Sequence, residues 1–259
     1  MSIGRVWVIA INVFREVIRD RILYLIGFFA IALMAIASLL PYVAANTQDK
    51  ILLDVGLAAL GLFGLVTAVF VGTGLVNKEI EKRTVFVLIA KPISRSDFIV
   101  GKHLGLTAVL AALVGAMMLI YLGVLLLNGV SFPFWSILLA VIYQLIELSL
   151  ITAVAILFGV FTSSILAIVL TFAIYLMGHF SRDLVGFGQI SENATIERIT
   201  EIAYLVLPDL SRLTWRNEAV YGFDLFPSPL AMLGHGLYGI VYAGLLLAIA
   251  TFVFSRKEF

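Results

Sequence analysis

Cysteine is absent from this 259-residue chain, and charged residues make up only 13% of it. Without thiols the protein cannot form disulfides, use a cysteine nucleophile or bind a metal through cysteine. A soluble domain is about one quarter charged and about one half apolar, whereas 62% of this chain is hydrophobic. The composition therefore predicts an all-α polytopic membrane protein embedded in a lipid bilayer.

Motifs for nucleotide, metal and hydrolytic chemistry are missing as well. The chain has no G-x-x-x-x-G-K-[ST] string, no H-E-x-x-H string and no Ser/His/Asp cluster, so we expect no catalytic residue, no metal site and no bound cofactor. The stretch 234–239 matches G-x-G-x-x-G, but no strand precedes it. Its small residues, like Gly101 and Gly105, predict close helix packing instead. We also expect no nucleic-acid partner.

Long hydrophobic runs account for most of the sequence. A bilayer core of ~30 Å needs ~20 apolar residues in a helix, and the chain offers six such runs, at residues 22–45, 51–76, 103–127, 135–160, 165–181 and 229–254. Residues 1–21 set basic and polar side chains opposite Trp7 and Phe14, which predicts an amphipathic helix in the membrane interface. The charged part of this stretch is too long for a signal peptide.

A charged segment, residues 77–102, separates the second and third runs and holds six Lys or Arg residues. Cytoplasmic loops are enriched in such cations. With this segment inside, the inner segments hold 12 Lys or Arg residues and the outer segments five. We therefore expect a multi-pass plasma-membrane protein, as in a bacterial inner membrane, with both termini cytoplasmic.

The charged segment contains local helix signals. Residues 78–90 can form a short helix, and Pro92 ends it by restricting Lys91 to extended geometry. Ser94 or Ser96 can cap a new helix with Asp97 in its first turn. A short helix, a break and a new helix form an arrangement that suits docking against a partner. A solvated loop between two spans is the plainer interpretation.

Residues 182–228 then face outward as short exterior helices. Apolar residues recur at helical spacing from Ile196 to Val206, which predicts an amphipathic helix that ends before Pro208. A second piece, residues 210–220, contains Trp215. Neither piece is long enough to cross the membrane, so they lie on the outer surface or dip into the mouth of the bundle. A small exterior cap without a transport role is the alternative.

Glu147 is the single acid deep inside a predicted span, and Gln144 lies three residues earlier on the same face. A carboxylate at that depth costs roughly 2.5–3.5 kcal/mol unless it is protonated, paired or hydrated. The two residues mark a translocation path or an interhelical hydrogen bond. His179, near the outer end of the fifth run, is a possible partner for Glu147 and the third candidate for the path.

The order of these features resembles that of type-2 ABC transporter permeases. The similarity rests on the N-terminal amphipathic helix, the six runs, Lys-Glu-x-Glu-x-Arg-Thr from residue 78 and Lys-Pro-Ile-Ser-Arg-Ser-Asp-Phe-Ile-Val-Gly-Lys from residue 91. The similarity extends over the whole chain. Within the family, the chain most resembles the branch that includes the permease for nitrous-oxide reductase maturation.

The resemblance implies a mechanism and a set of partners. Two permeases would work with two separate ABC ATPase subunits, which carry the ATP and Mg²⁺, and a coupling helix in the loop after the second span would dock on the ATPase. The residues that would form or flank this contact are Lys78, Glu79, Glu81, Lys82, Arg83, Thr84, Pro92 and Arg95. An exterior partner at residues 182–228 and transport outward are further expectations.

Two other functions remain open at this point. An ion-coupled secondary transporter would use Glu147 as its proton site, although the internal repeats typical of such carriers are not visible. A membrane assembly subunit that transports nothing would tolerate Glu147→Leu. Substrate identity does not follow from the sequence.

Overall fold

A computed structural model describes residues 2–19, 23–44, 47–81, 94–191 and 193–256, and only the backbone of residues 23, 76–81 and 182. Helices make up most of the described chain. They are α1 (Ile3–Val17), α2 (Leu23–Val43), α3 (Gln48–Glu81), α4 (Arg95–Leu127), α5 (Phe134–Phe161), α6 (Ser164–His179), α7 (Ser181–Ile190), α8 (Ala194–Val206), α9 (Arg216–Ala219) and α10 (Pro229–Arg256), with a short 3-10 turn at Leu210–Arg212.

Five of these helices, α2, α3, α4, α5 and α10, are long and apolar enough to cross a bilayer. Helix α6 has 16 residues and at 1.5 Å per residue reaches only about 24 Å. The chain bends by 68° between α6 and the following α7, and the described residues hold six candidate crossings if this bent pair is counted as one span. The prediction of an all-helical, multi-pass membrane protein is confirmed.

The bundle has two distinct ends. We call proximal the end where α1 and α4 begin and α10 finishes, because Ser2 contacts Asp97 and Arg95 contacts Phe254 there. At the opposite, distal end, a small cleft between Pro41, Gln48 and Asn128 brings together the end of α2, the start of α3 and the turn after α4.

Helix α3 corrects one expectation about the charged segment. The helix continues without a break to Glu81, so residues 78–81 end the second long helix and do not begin a separate one. No Gly or Pro occurs between Gly74 and Lys91, and a helix continues where nothing stops it. The rest of the predicted short helix, residues 82–90, lies outside the described residues.

The start of α4 follows the predicted chemistry. Ser94 is in extended geometry, and its side chain accepts a hydrogen bond from the Asp97 backbone N–H at 3.1 Å. This contact satisfies one of the amide groups that a helix start leaves unpaired. The predicted cap is confirmed, and of the two candidates, Ser94 and Ser96, the structure selects Ser94.

Helix α1 packs along the first turns of α4, and the two helices run in the same direction. A Cβ atom at Gly101 would lie 2.8 Å from Ile9 Cβ, and one at Gly105 would lie 2.7 Å from the Ala10 carbonyl oxygen. Glycine lets the two backbones approach this closely because it has no side chain. The close packing predicted from these two glycines is confirmed.

Burial is unevenly distributed among the long helices. In its most apolar stretch α5 is 67% buried and α3 is 56% buried, but α10 is 28% buried and α2 only 17%. Helices α3 and α5 therefore form the centre of the bundle, with α4 beside them. Helices α2 and α10 lie at its edges and present most of their apolar side chains outward.

The packing of α1 on α4 can be tested with two alanine substitutions in the same helix. Gly105→Ala places a methyl group against the Ala10 carbonyl, and such overpacking costs about 1–3 kcal/mol. Gly115→Ala meets no atom within 4 Å and gains helix propensity of roughly 1 kcal/mol. We expect the thermal unfolding midpoint of the detergent-purified protein to fall for the first variant and hold or rise for the second. Equal midpoints would contradict the close contact.

Candidate functional site

A buried carboxylate lies at the centre of the bundle. Glu147 is the fourteenth residue of the 28-residue helix α5 and is only 2% exposed. Its Oε1 lies 3.4 Å from His179 Nε2 at the end of α6. Its Oε2 accepts a hydrogen bond of 3.3 Å from the Thr214 hydroxyl. The structure therefore places Glu147 and His179 together, and it adds a partner from the segment before α10.

The hydrogen bonds of His179 define how it can pair with Glu147. Its Nδ1 lies 3.0 Å from the Tyr175 carbonyl oxygen, and a carbonyl can only accept, so Nδ1 carries a hydrogen. An ion pair with Glu147 then requires a second hydrogen on Nε2, which makes the ring an imidazolium cation. If the ring is neutral, Nε2 accepts from the Thr214 hydroxyl 3.1 Å away instead.

Arg216, the first residue of α9, brings a permanent positive charge to the same place. Its guanidinium interacts electrostatically with Glu147 and hydrogen-bonds to the side chain of Tyr175. Its Nη1 lies directly over Gly61 of α3, where any side chain would collide with it. We call Glu147, Tyr175, His179, Thr214 and Arg216 the Glu147 cluster.

The segment that carries Thr214 and Arg216 penetrates the bundle. Tyr242, the fourteenth residue of α10, donates a hydrogen bond to the Val206 carbonyl, so the end of α8 lies level with the middle of a long helix. Further along, Leu213 is fully buried and packs on Gly239 of α10. Residues 206–220, the inserted segment, therefore dip into the bundle mouth, which decides between the two placements that the sequence allowed.

Side-chain contacts hold the inserted segment at several heights. The Asp209 backbone N–H donates a hydrogen bond of 2.8 Å to the Tyr238 hydroxyl oxygen, and the Ser136 hydroxyl donates one of 2.7 Å to the Ala219 carbonyl oxygen. Asp209 also pairs with Arg212 at 2.9 Å. This hydrogen bond raises the pKa of Arg212 above its already high ordinary value, so the guanidinium stays charged. The predicted amphipathic helix that precedes this segment is confirmed as α8.

Gln144 differs from its neighbours in the cluster region. The side chain is 2% exposed, yet neither its amide oxygen nor its amide nitrogen has a hydrogen-bond partner among the described residues. Buried polar groups are nearly always paired, with protein or with water. Gln144 is therefore a place where water or a passing polar group could bind within the bundle.

A second group of contacts ties three helices together at the proximal end. The Ser2 backbone N–H donates to Asp97 Oδ1 at 3.1 Å, so one carboxylate faces the first turns of both α1 and α4. Arg95 donates 2.6 Å to the carbonyl of Phe254, in the last turn of α10. The rings of Phe98 and Phe254 stack with centroids 5.6 Å apart. We call these five residues the proximal junction.

The structure describes the predicted coupling residues only in part. Lys78, Glu79 and Glu81 belong to the last turn of α3, with only their backbone described. The remaining predicted residues before α4, which are Lys82, Arg83, Thr84 and Pro92, lie outside the described residues. Arg95 is the one whose side chain is placed, and it contacts α10.

Sequence reasoning missed Arg216 and Thr214. Both were assigned to an exterior segment because the polar stretch 182–228 carries both signs of charge and has no long apolar run. One local signal was available: a glycine, Gly61, lies in the middle of an apolar run, and such glycines often mark a close approach by another group. Nothing in the sequence indicates which group approaches it.

Comparison with known protein families gives one match. The family model described as "ABC-2 family transporter protein" matches residues 7–259, nearly the whole chain. No curated protein matches the chain at a significant level.

The charge balance of the Glu147 cluster can be tested through stability. Arg216→Met leaves a buried carboxylate with less compensation, and losing one partner of a buried pair costs about 3–5 kcal/mol. The double variant Glu147→Leu with Arg216→Met removes both charges, so we expect it to recover most of that loss. Denaturant titration of the purified protein in mixed micelles measures the free energy of unfolding.

Arg198→Met is the matched control, because Arg198 is exposed on α8 and surface substitutions change stability by about 0.5 kcal/mol or less. Additive effects of the two cluster substitutions would show that Glu147 and Arg216 do not interact.

Proposed function

Since the chain belongs to the ABC-2 family of transporters, we propose that two copies of it form the membrane part of an exporter driven by two copies of a separate ATPase. As a permease subunit it crosses the membrane several times, and family members typically partner with an ABC ATPase. The chain supplies the path and the coupling contact, and ATP and Mg²⁺ are bound by the partner.

The observation that carries the proposal is the proximal junction. The charged segment leaves α3 and enters α4 at this end of the bundle. Arg95 and Asp97, at its exit, contact α10 and α1. A push on the segment would therefore reach the first and last helices as well as α3 and α4. A docked ATPase could in this way move one connected body instead of a loose loop.

The mixed charge of the segment suits a reversible contact with another protein. The stretch combines both signs of charge, with Glu79 and Glu81 between Lys78 and the Lys82–Arg83 pair, and complementary charges favour specificity and fast association over permanent burial. We assign the contact to residues 78–84, with Pro92 and Arg95 at the turn into α4. This assignment makes the proximal end cytoplasmic.

The weakly buried helices support dimer formation. Helices α2 and α10 leave most of their apolar side chains outside the protomer, and a second copy would cover part of that surface. Gln144, Glu147 and His179 would supply polar groups at mid-depth on the path. The parts of residues 182–228 that lie outside the inserted segment would offer a surface to an exterior partner.

The orientation can be tested directly because the natural chain has no cysteine. Ser255→Cys places one thiol near the proximal end, and Asn128→Cys places one in the exposed turn after α4. We expect a membrane-impermeant maleimide added to intact cells to label Asn128→Cys only. Opening the membrane should expose both thiols equally. Labelling of Ser255→Cys in intact cells would reverse the orientation and remove the coupling assignment.

Coupling can be tested by reversing charges in the segment. We expect Glu79→Lys or Arg83→Glu to reduce the ATP turnover of the complex copurified with its ATPase, because each puts like charges across the contact. Arg198→Glu, on the distal α8, is the matched charge reversal that should leave turnover unchanged. Unchanged turnover and intact assembly in the first two variants would refute this contact. Transport without any copurifying ATPase would favour an ion-coupled carrier.

A further inference from the structure

The distal part of the bundle contains an apolar cavity of about 570 Å³, a volume within the usual range of ligand sites. Its walls include Leu139 and Tyr143 of α5, Phe223 and Phe226 of the turn before α10, and Met232 and Leu233 of α10. None of the described residues that line it is charged. The cavity is separate from the Glu147 cluster and from the proximal junction.

Tyr143 carries the one hydroxyl among the described wall residues, and this hydroxyl already makes a hydrogen bond within the protein. Tyr143 donates a hydrogen bond of 2.6 Å to the Met232 carbonyl oxygen, so its hydrogen points into the wall and is not offered to a ligand. The other named walls are hydrocarbon, thioether or aromatic ring. A polar ligand would lose its hydrogen bonds to water on entry without replacement, which restricts the occupant to an apolar group.

The depth of the cavity matches the acyl region of the distal leaflet. Trp135, the second residue of α5, is 68% exposed, and an exposed tryptophan at a span end marks the membrane interface. Leu139 and Tyr143 follow at one and two turns, about 6 and 12 Å deeper at 1.5 Å per residue. Leu233, at the rim, is 71% exposed on the outward face of α10, so the cavity is open toward the bilayer.

The charge near the rim distinguishes two sources of an apolar chain. Asp224 is exposed between Phe223 and Phe226, and its carboxylate would repel the carboxylate of a free fatty acid, whereas the headgroup of a zwitterionic phospholipid carries a cationic amine beside its phosphate that offsets the repulsion. A phospholipid keeps its headgroup at the interface and inserts only hydrocarbon. We propose that the cavity binds an acyl chain of a phospholipid of the distal leaflet. The site uses no ATPase and stands apart from the proposed coupling.

Trp215 provides a built-in reporter for this site. Its ring stacks on Phe226, a wall of the cavity, with centroids 5.8 Å apart. The chain has three tryptophans, and Trp7→Phe with Trp135→Phe leaves Trp215 as the only one. We expect phospholipid brominated along its acyl chains to quench Trp215 fluorescence in reconstituted protein, relative to the same lipid without bromine. Absence of quenching would mean that the cavity excludes lipid, for instance because a second copy fills it.

Two further arms of the quenching experiment distinguish phospholipid bound in the cavity from lipid of the surrounding bilayer and from free fatty acid. Leu139→Phe fills part of the cavity and should reduce the quenching, whereas Leu237→Phe, on the exposed face of α10 but outside the cavity, should not. Equal quenching in both variants would show that Trp215 senses bulk lipid and would overturn the proposal. Equal quenching by brominated fatty acid and brominated phospholipid at the same mole fraction in micelles would overturn the choice of phospholipid.

Discussion

The distal half of this protein is organised by one constraint, the need of Glu147 for compensating partners. A carboxylate halfway along an apolar helix is costly unless it is paired or hydrated. Three partners come from two different parts of the chain: His179 from the end of α6, and Thr214 and Arg216 from the inserted segment. Helix α6 ends at the height of Glu147, and Gly61 leaves room for Arg216. The short α6, the inserted segment and the glycine at position 61 therefore all serve to place partners around one buried carboxylate.

The proximal end is held together by a different kind of chemistry. Its contacts are mostly helix-end groups: Asp97 accepts from the backbone of α1, and Arg95 donates to a carbonyl in the last turn of α10. Glycine contacts and stacked rings add close packing. The proximal end is thus joined through helix ends, whereas the middle of the bundle contains the polar Glu147 cluster. In the exporter that we propose, force from the ATPase would enter at the proximal end.

Much of the architecture could be predicted because the relevant physics is local. Apolar run length predicted the long helices, Ser94 before Asp97 predicted a cap, and Gly101 and Gly105 predicted close approach. The end of α3 was misjudged because a change from apolar to charged residues was taken as a helix boundary. A helix stops only where backbone geometry or capping stops it, and residues 78–81 contain no such signal.

By itself, the sequence determined the membrane class, the helical periods, the helix start at Ser94 and the presence of one acid that required partners. Each of these depends on interactions within a few turns of chain. The tertiary structure alone decided which groups compensate the charge of Glu147, where residues 206–220 lie, and how far α6 extends. Arg216 lies 69 positions after Glu147, and no local pattern records their meeting, because a Coulomb interaction between distant residues depends on position in space and leaves no period in the sequence.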